Sequence, residues 1–452
     1  MSGVSTFFGI ETALRGLLAQ QRALDVTSHN VANANTDGYT RQQAVMAASD
    51  ALQITDGARL STLASIGTGV DVESYTRVRD LFLDMQFRAQ NMVLGEKQTT
   101  SNAMDQVESA LAEPGENGIS TQLAKFWSAW ADVANSPENP AARQALVDQA
   151  RTLATSIGGL YSQLTTAAGQ ASAEYNSLIA SPNGDVAAAA SEIATLNAAI
   201  KKAVTAGDHP NDLLDRRDAL LDKLSKLGQV SVTDLGDGSI NVSFGDAASP
   251  IVADTTVNWP QPINNAGPPA TSSGGKLGAL YDLFKTGGTI ASFQSDLNGI
   301  AEDLADKVNA IHNVGPPSGV DFFTYTSGSE ASTLAVNVTA STVVTSASGL
   351  PGDNTLALAI SRLRGQTTDK LYTTFVTRIG SLAKDAQRQE ASAQALVDSV
   401  DGRRQSTSGV SMDEEMTNMI RFQRAFQASS RAMNTMDELL DTLINRTGRV
   451  GI

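Results

Sequence analysis

The sequence contains no cysteine, which excludes disulfides, thiolate metal sites and cysteine nucleophiles. Histidine is nearly as scarce. His29, His209 and His312 are far apart in the chain, so a histidine-rich metal site is not expected. Aromatic residues make up only 5% of the chain, so its cores must be built mainly from Ala, Leu, Val and Ile. We therefore expect neither a metal nor a cofactor.

The charge balance and the hydropathy exclude further classes. The chain has 33 basic and 48 acidic residues, for a formal net charge of −15, whereas nucleic-acid-binding proteins usually present a basic face. No apolar run approaches the roughly 18 residues that a spanning helix needs. The first residues also lack the basic and apolar regions and the cleavage site of a secretory signal peptide. We expect no nucleic-acid partner and no membrane insertion.

Motifs of catalysis are missing as well. The sequence has no phosphate-binding loop, no G-x-S-x-G elbow and no H-E-x-x-H pair. The segment DLGDGS at 234–239 superficially resembles a calcium loop, but it lacks the third acidic ligand and the closing glutamate. It is better interpreted as a hairpin turn. The sequence therefore predicts that this protein is not an enzyme.

What the chain does have is an amphipathic segment at each end, with apolar residues spaced alternately by three and four as in coiled coils. The N-terminal stripe, interrupted by two polar residues, is Phe7, Ile10, Leu14, Leu17, Gln21, Leu24, Ser28 and Val31. The C-terminal stripe is Met419, Phe422, Phe426, Ser429, Met433, Met436, Leu440 and Leu443. An isolated helix cannot bury its own stripe. The two ends therefore either pair in one bundle or pack against neighbouring subunits, and the pattern leaves both open.

Between the ends the periodicity changes several times. A helical period predicts helices within 80–225, 276–313 and 368–400, and 401–411 is predicted as a loop before the last helix. Alternating residues predict a hairpin within 229–270, and VNVTASTVVT is the clearest strand within 319–348.

This nested order predicts a mainly α protein with a β-rich insertion. We expect an elongated multidomain molecule with nested discontinuous domains and paired N- and C-terminal coiled-coil helices. The predicted domains are a terminal coiled-coil core of 1–45 and 405–452, a helical rod-like domain of 46–228, 275–316 and 366–404, and a β-rich outer domain of 229–274 and 317–365.

The segment TSHNVANANTDGYTRQQ at 27–43 predicts the end of the first helix. Asn30 and Asn33 are three residues apart and share a face, Gly38 can adopt a positive φ, and Tyr39 is a large anchor just past the turn. A helix cap followed by a strand explains part of this pattern. It leaves the excess of asparagine unexplained, and asparagine amides both donate and accept hydrogen bonds. They can therefore tie the turn to another helix or to another subunit.

At these residues the chain resembles the axial proteins of the bacterial flagellum, which comprise rod, hook and hook-associated proteins. The family motif S-x-N-[VIL]-A-N-x-x-T-x-G-Y is matched by Ser28, Asn30, Val31, Ala32, Asn33, Thr36, Gly38 and Tyr39. Three further stretches, at 211–225, 274–312 and 409–445, are similar to the members that join the hook to the filament.

The resemblance implies a structural adapter, exported unfolded through the flagellar type III apparatus without a cleaved signal peptide. It implies a ring of identical subunits between hook and filament that allows flagellin to assemble. The implied partners are other copies of the chain, the hook protein, the second hook–filament junction protein and an export chaperone at the C-terminal helix. The alternatives are another axial protein, such as a flagellin-type filament subunit, and an enzyme hidden in the β-rich insertion.

The residues predicted to contact neighbouring subunits come from both stripes and from the asparagine-rich turn. They are Phe7, Ile10, Leu14, Leu17, Leu24, Val31, Asn30, Asn33, Thr36, Gly38, Tyr39, Met419, Phe422, Phe426, Met433, Met436, Leu440 and Leu443.

Overall fold

The computed structural model describes residues 7–55, 62–247, 249–259, 274–314 and 319–445. The N-terminal part comprises helix α1 (Phe8–Ala32) and strands β1 (Gln42–Ala48), β2 (Leu52–Thr55), β3 (Thr62–Ile66) and β4 (Val70–Arg77). A helical stretch follows, made of α2 (Leu81–Leu111), α3 (Ile119–Asn135), α4 (Pro140–Ile179), α5 (Asp185–Thr205) and α6 (Asn211–Leu227).

The second half begins with a small sheet and returns to helices. Its strands are β5 (Val230–Asp234), β6 (Ile240–Phe244), β7 (Val252–Ala253) and β8 (Thr256–Val257). After them come α7 (Gly275–Phe284), α8 (Thr289–His312), β9 (Phe323–Thr324), α9 (Glu330–Thr333), β10 (Ala335–Val336), α10 (Thr355–Ser361), α11 (Thr367–Ser408) and α12 (Met412–Asn445). The predicted fold class, mainly α with a β-rich insertion, is confirmed.

Most predicted helices are present because their ends carry clear signals. The carboxylate of Asp80 accepts a hydrogen bond from the backbone N–H of Phe82 at 2.9 Å and so caps α2. Asn139 caps α4 through the N–H of Ala141, and Pro140 follows at the first helical position, where its missing N–H does no harm.

The predicted hairpin is formed by β5 and β6, which pair antiparallel in the register Val230↔Phe244 and Val232↔Val242. Its turn is the DLGDGS segment, in which Gly236 and Gly238 both have positive φ. The carboxylates of Asp234 and Asp237 accept hydrogen bonds from backbone N–H groups of this same turn. The interpretation of this segment as a hairpin turn is therefore confirmed.

Three segments differ from the sequence-based expectation. Residues 42–55 and 62–77, most of which fall within the predicted helical domain, contain four strands: β1 pairs with β4, and β2 with β3. Their side chains lack a clean alternation of polar and apolar residues, so the pattern gave no strand signal. Residues 401–408, expected to be a loop, extend α11, where Arg404 is held by an ion pair to Asp222.

The third difference is the strand predicted in VNVTASTVVT at 336–345, of which only Val336 belongs to a paired strand, β10. The hydroxyl groups of this segment bond locally to its own backbone. Thr342 Oγ1, for example, accepts from the N–H of Thr339 at 2.8 Å. Such local bonds compete with a strand ladder despite the high β-propensity of Val and Thr.

The hydrophobic core is centred on α3, where Phe126, Trp127 and Trp130 are at most 1% exposed. Phe322 and Phe323 pack against them, with ring centroids 4.9–6.0 Å apart among Phe126, Phe322 and Phe323. The same buried cluster includes residues of β6 and β7 and of helices α2 to α11. The segments assigned to a separate β-rich domain therefore share one core with the helices. We call everything from α2 to α11 the body.

His312 closes this core at the end of α8 and is 0% exposed. Its Nδ1 lies 2.8 Å from the carbonyl oxygen of Val320, and its Nε2 accepts the N–H of Val344 at 2.9 Å. Nδ1 must therefore carry the proton, and the ring is neutral. Burial lowers the pKa of His312, although the carbonyl of Val320 and the charge of Asp321 act in the opposite direction.

We predict that the body becomes less stable in mild acid because His312 must take up a proton that the fold disfavours. The contribution of the neutral ring is complete above the unfolded pKa of about 6.5 and is lost as pH falls toward the lower folded value. Urea unfolding followed by tryptophan fluorescence at pH 7.5 and 5.5 measures this loss. A His312→Leu variant should lose about 1–3 kcal/mol for each unpaired backbone group and should show a weaker pH dependence. An unchanged pH dependence in that variant would contradict the assignment.

Candidate assembly interface

Helices α1 and α12 pack antiparallel against each other, and we call them the terminal pair. A Cβ atom added at Gly9 would lie 3.0 Å from the sulfur of Met436, and one added at Gly16 would lie 3.2 Å from Ser429 Oγ. Further along, Asn30 Nδ2 donates to Glu415 Oε2 at 3.2 Å. Each step of seven residues along α1 is thus matched by a step of seven along α12 in the opposite direction. The pairing of the two chain ends expected from the sequence is present.

The face of α1 that meets α12 is made of small residues rather than the predicted apolar stripe. The buried apolar residues of α1 are likewise small: Ala19 and Ala23, each 2% exposed. The predicted stripe is displaced by one residue, about 100° around the helix. Its apolar members divide by exposure: Ile10, Leu17, Leu24 and Val31 are half-buried, and Phe7 and Leu14 are 58% and 42% exposed. Small residues let the backbones of the two helices approach each other closely. A search for the most hydrophobic stripe of a helix does not find such a face.

On α12 most of the predicted stripe does face α1. Six of its members are half-buried or buried: Met419, Phe422, Phe426, Ser429, Met433 and Leu440. Met436 and Leu443 are 40% and 54% exposed. Further large apolar side chains are exposed elsewhere on the helix: Met412, Met416, Ile420, Leu439 and Ile444. The terminal pair therefore leaves much apolar surface uncovered in a single chain.

The turn after α1 is organised by Asn30, which is 1% exposed. Its Nδ2 donates to the carbonyl of Gln42 at 2.8 Å as well as to Glu415. Its Oδ1 accepts from Tyr39 Oη at 2.8 Å and from the N–H of Gln42 at 3.0 Å. The amide thus ties the helix, the turn, strand β1 and α12 together, so the asparagine joins the turn to another helix of the same chain.

Tyr39 links this amide to the end of α1. Because its only proton goes to Asn30 Oδ1, its oxygen must accept from His29 Nδ1, which lies 3.0 Å away. The two rings meet edge to face with centroids 5.5 Å apart. Burial raises the pKa of Tyr39, and the charges of Asp212, Asp215 and Glu415 raise it further, so the hydroxyl remains a donor.

The other predicted turn residues shape the backbone. Asn33 Nδ2 donates to the carbonyl of His29 at 3.0 Å and ends the helix, and the N–H of Thr36 donates to the carbonyl of Asn33. Gly38 has φ +78°, and a Cβ there would lie 3.3 Å from Cβ of Ala219. A side chain at 38 would therefore be strained by its backbone and crowded by α6.

Arg41 and Glu415 complete what we call the turn cluster, which consists of Asn30, Tyr39, Arg41 and Glu415. Arg41 Nε donates to Glu415 Oε1 at 2.7 Å and its Nη1 to Glu414 Oε2 at 2.8 Å. The Glu415 side chain is only 2% exposed. An acid in the first turn of a helix usually lies at the surface, where it complements the helix dipole. The structure shows that Glu415 is a buried partner of the turn.

Below the turn lies a row of carboxylates along one face of α6, which we call the aspartate row: Asp212, Asp215, Asp218 and Asp222. Asp215 Oδ2 accepts the N–H of Thr40 at 2.9 Å. Arg77 Nη1 lies 2.8 Å from carboxylate oxygens of both Asp215 and Asp218. The row therefore joins the turn and β4 to the body.

Asp218 is the centre of the row because three arginines reach it. Arg79, Arg77 and Arg88 lie 2.5, 2.8 and 3.1 Å from its oxygens. Burial alone would raise the pKa of Asp218, but these three charges outweigh it and hold the pKa below its usual value. Asp222 in turn binds Arg88 and Arg404, so α2 and α11 are fastened to the same face.

The sequence alone does not identify the aspartate row as a structural site. The segment that contains it, 211–225, is one of the stretches that resemble the flagellar axial proteins. The available signal was the spacing of the four aspartates by three, three and four residues, which places them on one helical face. Their arginine partners at 77, 79, 88 and 404 come from distant segments, and no local pattern pairs them.

The site offers binding and positioning. Its charged groups are engaged with one another, and none is placed as a nucleophile beside a base. Among the residues with described structure, no three His, Asp or Glu side chains are grouped so as to hold a metal ion. None of the described helices is apolar over a length that would cross a bilayer.

Comparisons with known proteins match the chain in three places. The family model of the flagellar hook-associated protein FlgK helical domain matches residues 104–323. Models of the flagella basal body rod protein and of the flagellar basal body rod FlgEFG protein C-terminal region match 10–40 and 403–446. The last two coincide closely with the terminal pair and its turn.

Whole proteins and a solved structure agree with these matches. Flagellar hook-associated protein 1 of Bacillus subtilis is 30% identical over 98% of this chain and 99% of its own length. That of Salmonella typhimurium is 31% identical over 70% of this chain and 59% of its own length. The structure of the flagellar hook junction protein FlgK from Burkholderia pseudomallei shares the fold, with a TM-score of 0.60 at 15% identity, over 72% of this chain and 100% of that one.

We predict that Asp218→Asn destabilises the protein by about 3–5 kcal/mol at pH 7, because three arginines that are only 12–15% exposed would lose their shared counter-charge. Urea unfolding monitored by circular dichroism measures the change. The matched control is Glu192→Gln on α5, which removes the partner of Arg216 on α6. Glu192 is more exposed than Asp218, so this change should alter stability by less than about 1 kcal/mol. Equal losses in the two variants would show that the aspartate row has no special role.

Proposed function

The chain belongs to the family of flagellar hook-associated protein 1, and from this membership we propose how its terminal pair joins it to neighbouring subunits. The protein is a structural component of the bacterial flagellum, the adapter at the junction between hook and filament. The geometry described above supports a role for both of its ends in that junction.

We propose that copies of the chain form a ring in which the terminal pair of one subunit packs against that of the next. The supporting observation is the apolar surface that the pair leaves uncovered, including Leu14, Leu18, Met416 and Ile420 at 42–48% exposure. Full burial of such a side chain contributes about 1.5–3 kcal/mol relative to exposure. A single chain cannot obtain this energy, whereas a closed ring of identical chains can.

The turn cluster and the aspartate row support the same proposal in a different way. A layer of helices in a ring contributes to a rigid junction only if each helix pair is firmly attached to its body. Arg41 is bonded to α12, and its N–H donates to the carbonyl of Ser408 at the end of α11. Thr40 is bonded to Asp215 of α6. The attachment therefore uses both ends of the chain and the body together.

We propose the hook protein and the second hook–filament junction protein as the axial neighbours of this ring, with flagellin assembling beyond it. An export chaperone is proposed to bind α12 before assembly. The exposed methionines 412, 416 and 436 support this, because flexible methionine side chains adapt to more than one partner. We also propose export through the flagellar type III apparatus without cleavage, to a final place outside the cell. The resemblance of both ends to flagellar axial proteins supports this.

The role of the exposed apolar surface can be tested with Leu14→Asp. Because Leu14 is 42% exposed in the monomer, the purified variant should keep the melting temperature of the parent protein within about 2 °C. In cells that lack the chromosomal copy, it should leave hooks without filaments and release flagellin into the medium. Electron microscopy of the cells and an immunoblot of the medium measure the two outcomes.

The matched control is Leu382→Asp, which makes the same change at a leucine with 40% exposure on the body helix α11. It should support filament growth. Normal filaments with Leu14→Asp would contradict the proposed role of the terminal pair. Loss of filaments with both variants would place the interface on the body as well.

A second prediction concerns the monomer before assembly. The terminal pair buries few large side chains, and Leu440 is the only apolar residue of α12 that is fully buried within the described structure. Hydrogen exchange should therefore be fast along α1 and α12 and slow along α3 and α8, whose apolar faces lie in the core. Protection of the terminal pair as strong as that of the core helices would show that it is complete without neighbours.

A further inference from the structure

The contact between α1 and α12 repeats every seven residues, which raises the question of what fixes its register. Two layers of the contact are Gly9 with Met436 and Gly16 with Ser429. Continuing by seven places Ala23 opposite Phe422, and the fourth layer is Asn30 with Glu415.

Three of the four layers do not distinguish one register from another. In each, α1 contributes a residue no larger than alanine, and α12 contributes a larger one. If α12 moved by seven residues along α1, Gly16 would face Phe422 or Met436 instead of Ser429, and Ala23 would face Glu415 or Ser429 instead of Phe422. Glycine and alanine leave room for these side chains, so packing of the small residues defines the face of contact but not the position along it.

The fourth layer does distinguish the registers. Glu415 is 2% exposed and accepts from Asn30 Nδ2 at 3.2 Å and from Arg41 Nε at 2.7 Å. Moved by seven residues toward the chain ends, it would face Ala23, which offers no donor. A buried carboxylate without a partner is strongly disfavoured, and a single buried polar pair can specify the register of a helical pair.

We propose that Glu415 is a positioning residue that selects one register of α1 against α12 through its bonds to Asn30 and Arg41. This selection is a property of the single chain and does not depend on the ring proposed above. It also explains why an acid lies within an otherwise mostly apolar face of α12, where packing alone would favour leucine or methionine.

The natural absence of cysteine makes the register directly measurable by introduced pairs. A Cβ at Gly16 would lie 3.9 Å from Cβ of Ser429, within the range of about 3.5–4.5 Å found in disulfides. Ser429→Cys is combined in three separate variants with Gly9→Cys, Gly16→Cys or Ala23→Cys. The first and third pairs report the two registers that are displaced by seven residues, about 10 Å along the helix.

With Glu415 in place, mild oxidation of the dilute monomer should close the 16/429 bridge and leave the other two pairs as free thiols. We expect the preference to be at least about tenfold, since one displaced register buries Glu415 opposite Ala23 without a partner and the other carries it past the end of α1 and away from Asn30. Counting free thiols by mass spectrometry after maleimide labelling measures it. In this background, closure of all three pairs would overturn the proposal. Failure of the 16/429 pair to close would overturn it as well.

The decisive variant is Glu415→Leu, which makes the face of α12 apolar at this layer. We expect the 9/429 or 23/429 bridge to form in it to an extent comparable with 16/429. Glu415→Gln keeps an acceptor for Asn30 and should therefore keep the preference for the 16/429 bridge. Glu414→Gln changes an exposed partner of Arg41 and should not disturb that preference. The melting temperature of the body should be the same in all variants, which separates a change of register from unfolding.

An exclusive 16/429 bridge in Glu415→Leu would overturn the proposal. It would show that the short connection of Gly409, Val410 and Ser411 between α11 and α12 is sufficient to set the register.

Discussion

The terminal pair depends on the burial of one charged carboxylate beside donors that come from elsewhere in the chain. Glu415 lies at the start of α12, Asn30 at the end of α1 and Arg41 just past the turn. Glu415 is not satisfied without the other two, because the desolvation of a carboxylate must be offset by direct hydrogen bonds. This constraint brings the two ends of the chain together at one point, from which the helices extend side by side.

The buried apolar surface is divided unevenly between the body and the terminal pair. The body has a continuous core in which the aromatic residues of α3 are completely enclosed. The terminal pair is held by small residues on one side and half-buried phenylalanine and methionine on the other. Most of the buried apolar side chains therefore lie in the body, and the terminal pair leaves several of its large apolar side chains exposed.

Much of this architecture could be predicted from the sequence, for reasons that are local. The helices α3, α4, α5 and α6 have clear starts, stops and apolar faces, and the β5–β6 hairpin has its glycine turn. What could not be predicted depends on distant residues. The pairing of β1 with β4 joins segments about 30 residues apart with weak alternation, and VNVTASTVVT fails as a strand because its hydroxyl groups bond locally. For the candidate site, the turn was recognised from Asn30, Gly38 and Tyr39. The face of α1 was displaced by one residue because glycine and alanine, which form the contact, score poorly as apolar residues, and Glu415 was undervalued because acids are expected at the surface.

The antiparallel arrangement of α1 and α12 has a practical consequence for anyone who labels this protein. Gly9 and Met436 are neighbours, so the start of α1 and the end of α12 lie at the same tip of the terminal pair. A label attached at the start of α1 and one attached at the end of α12 would therefore be delivered to the same place and would crowd the same surroundings. The exposed turn at 206–209, where Gly207 has nothing within 4 Å of its open side, offers an internal position far along the chain from both termini.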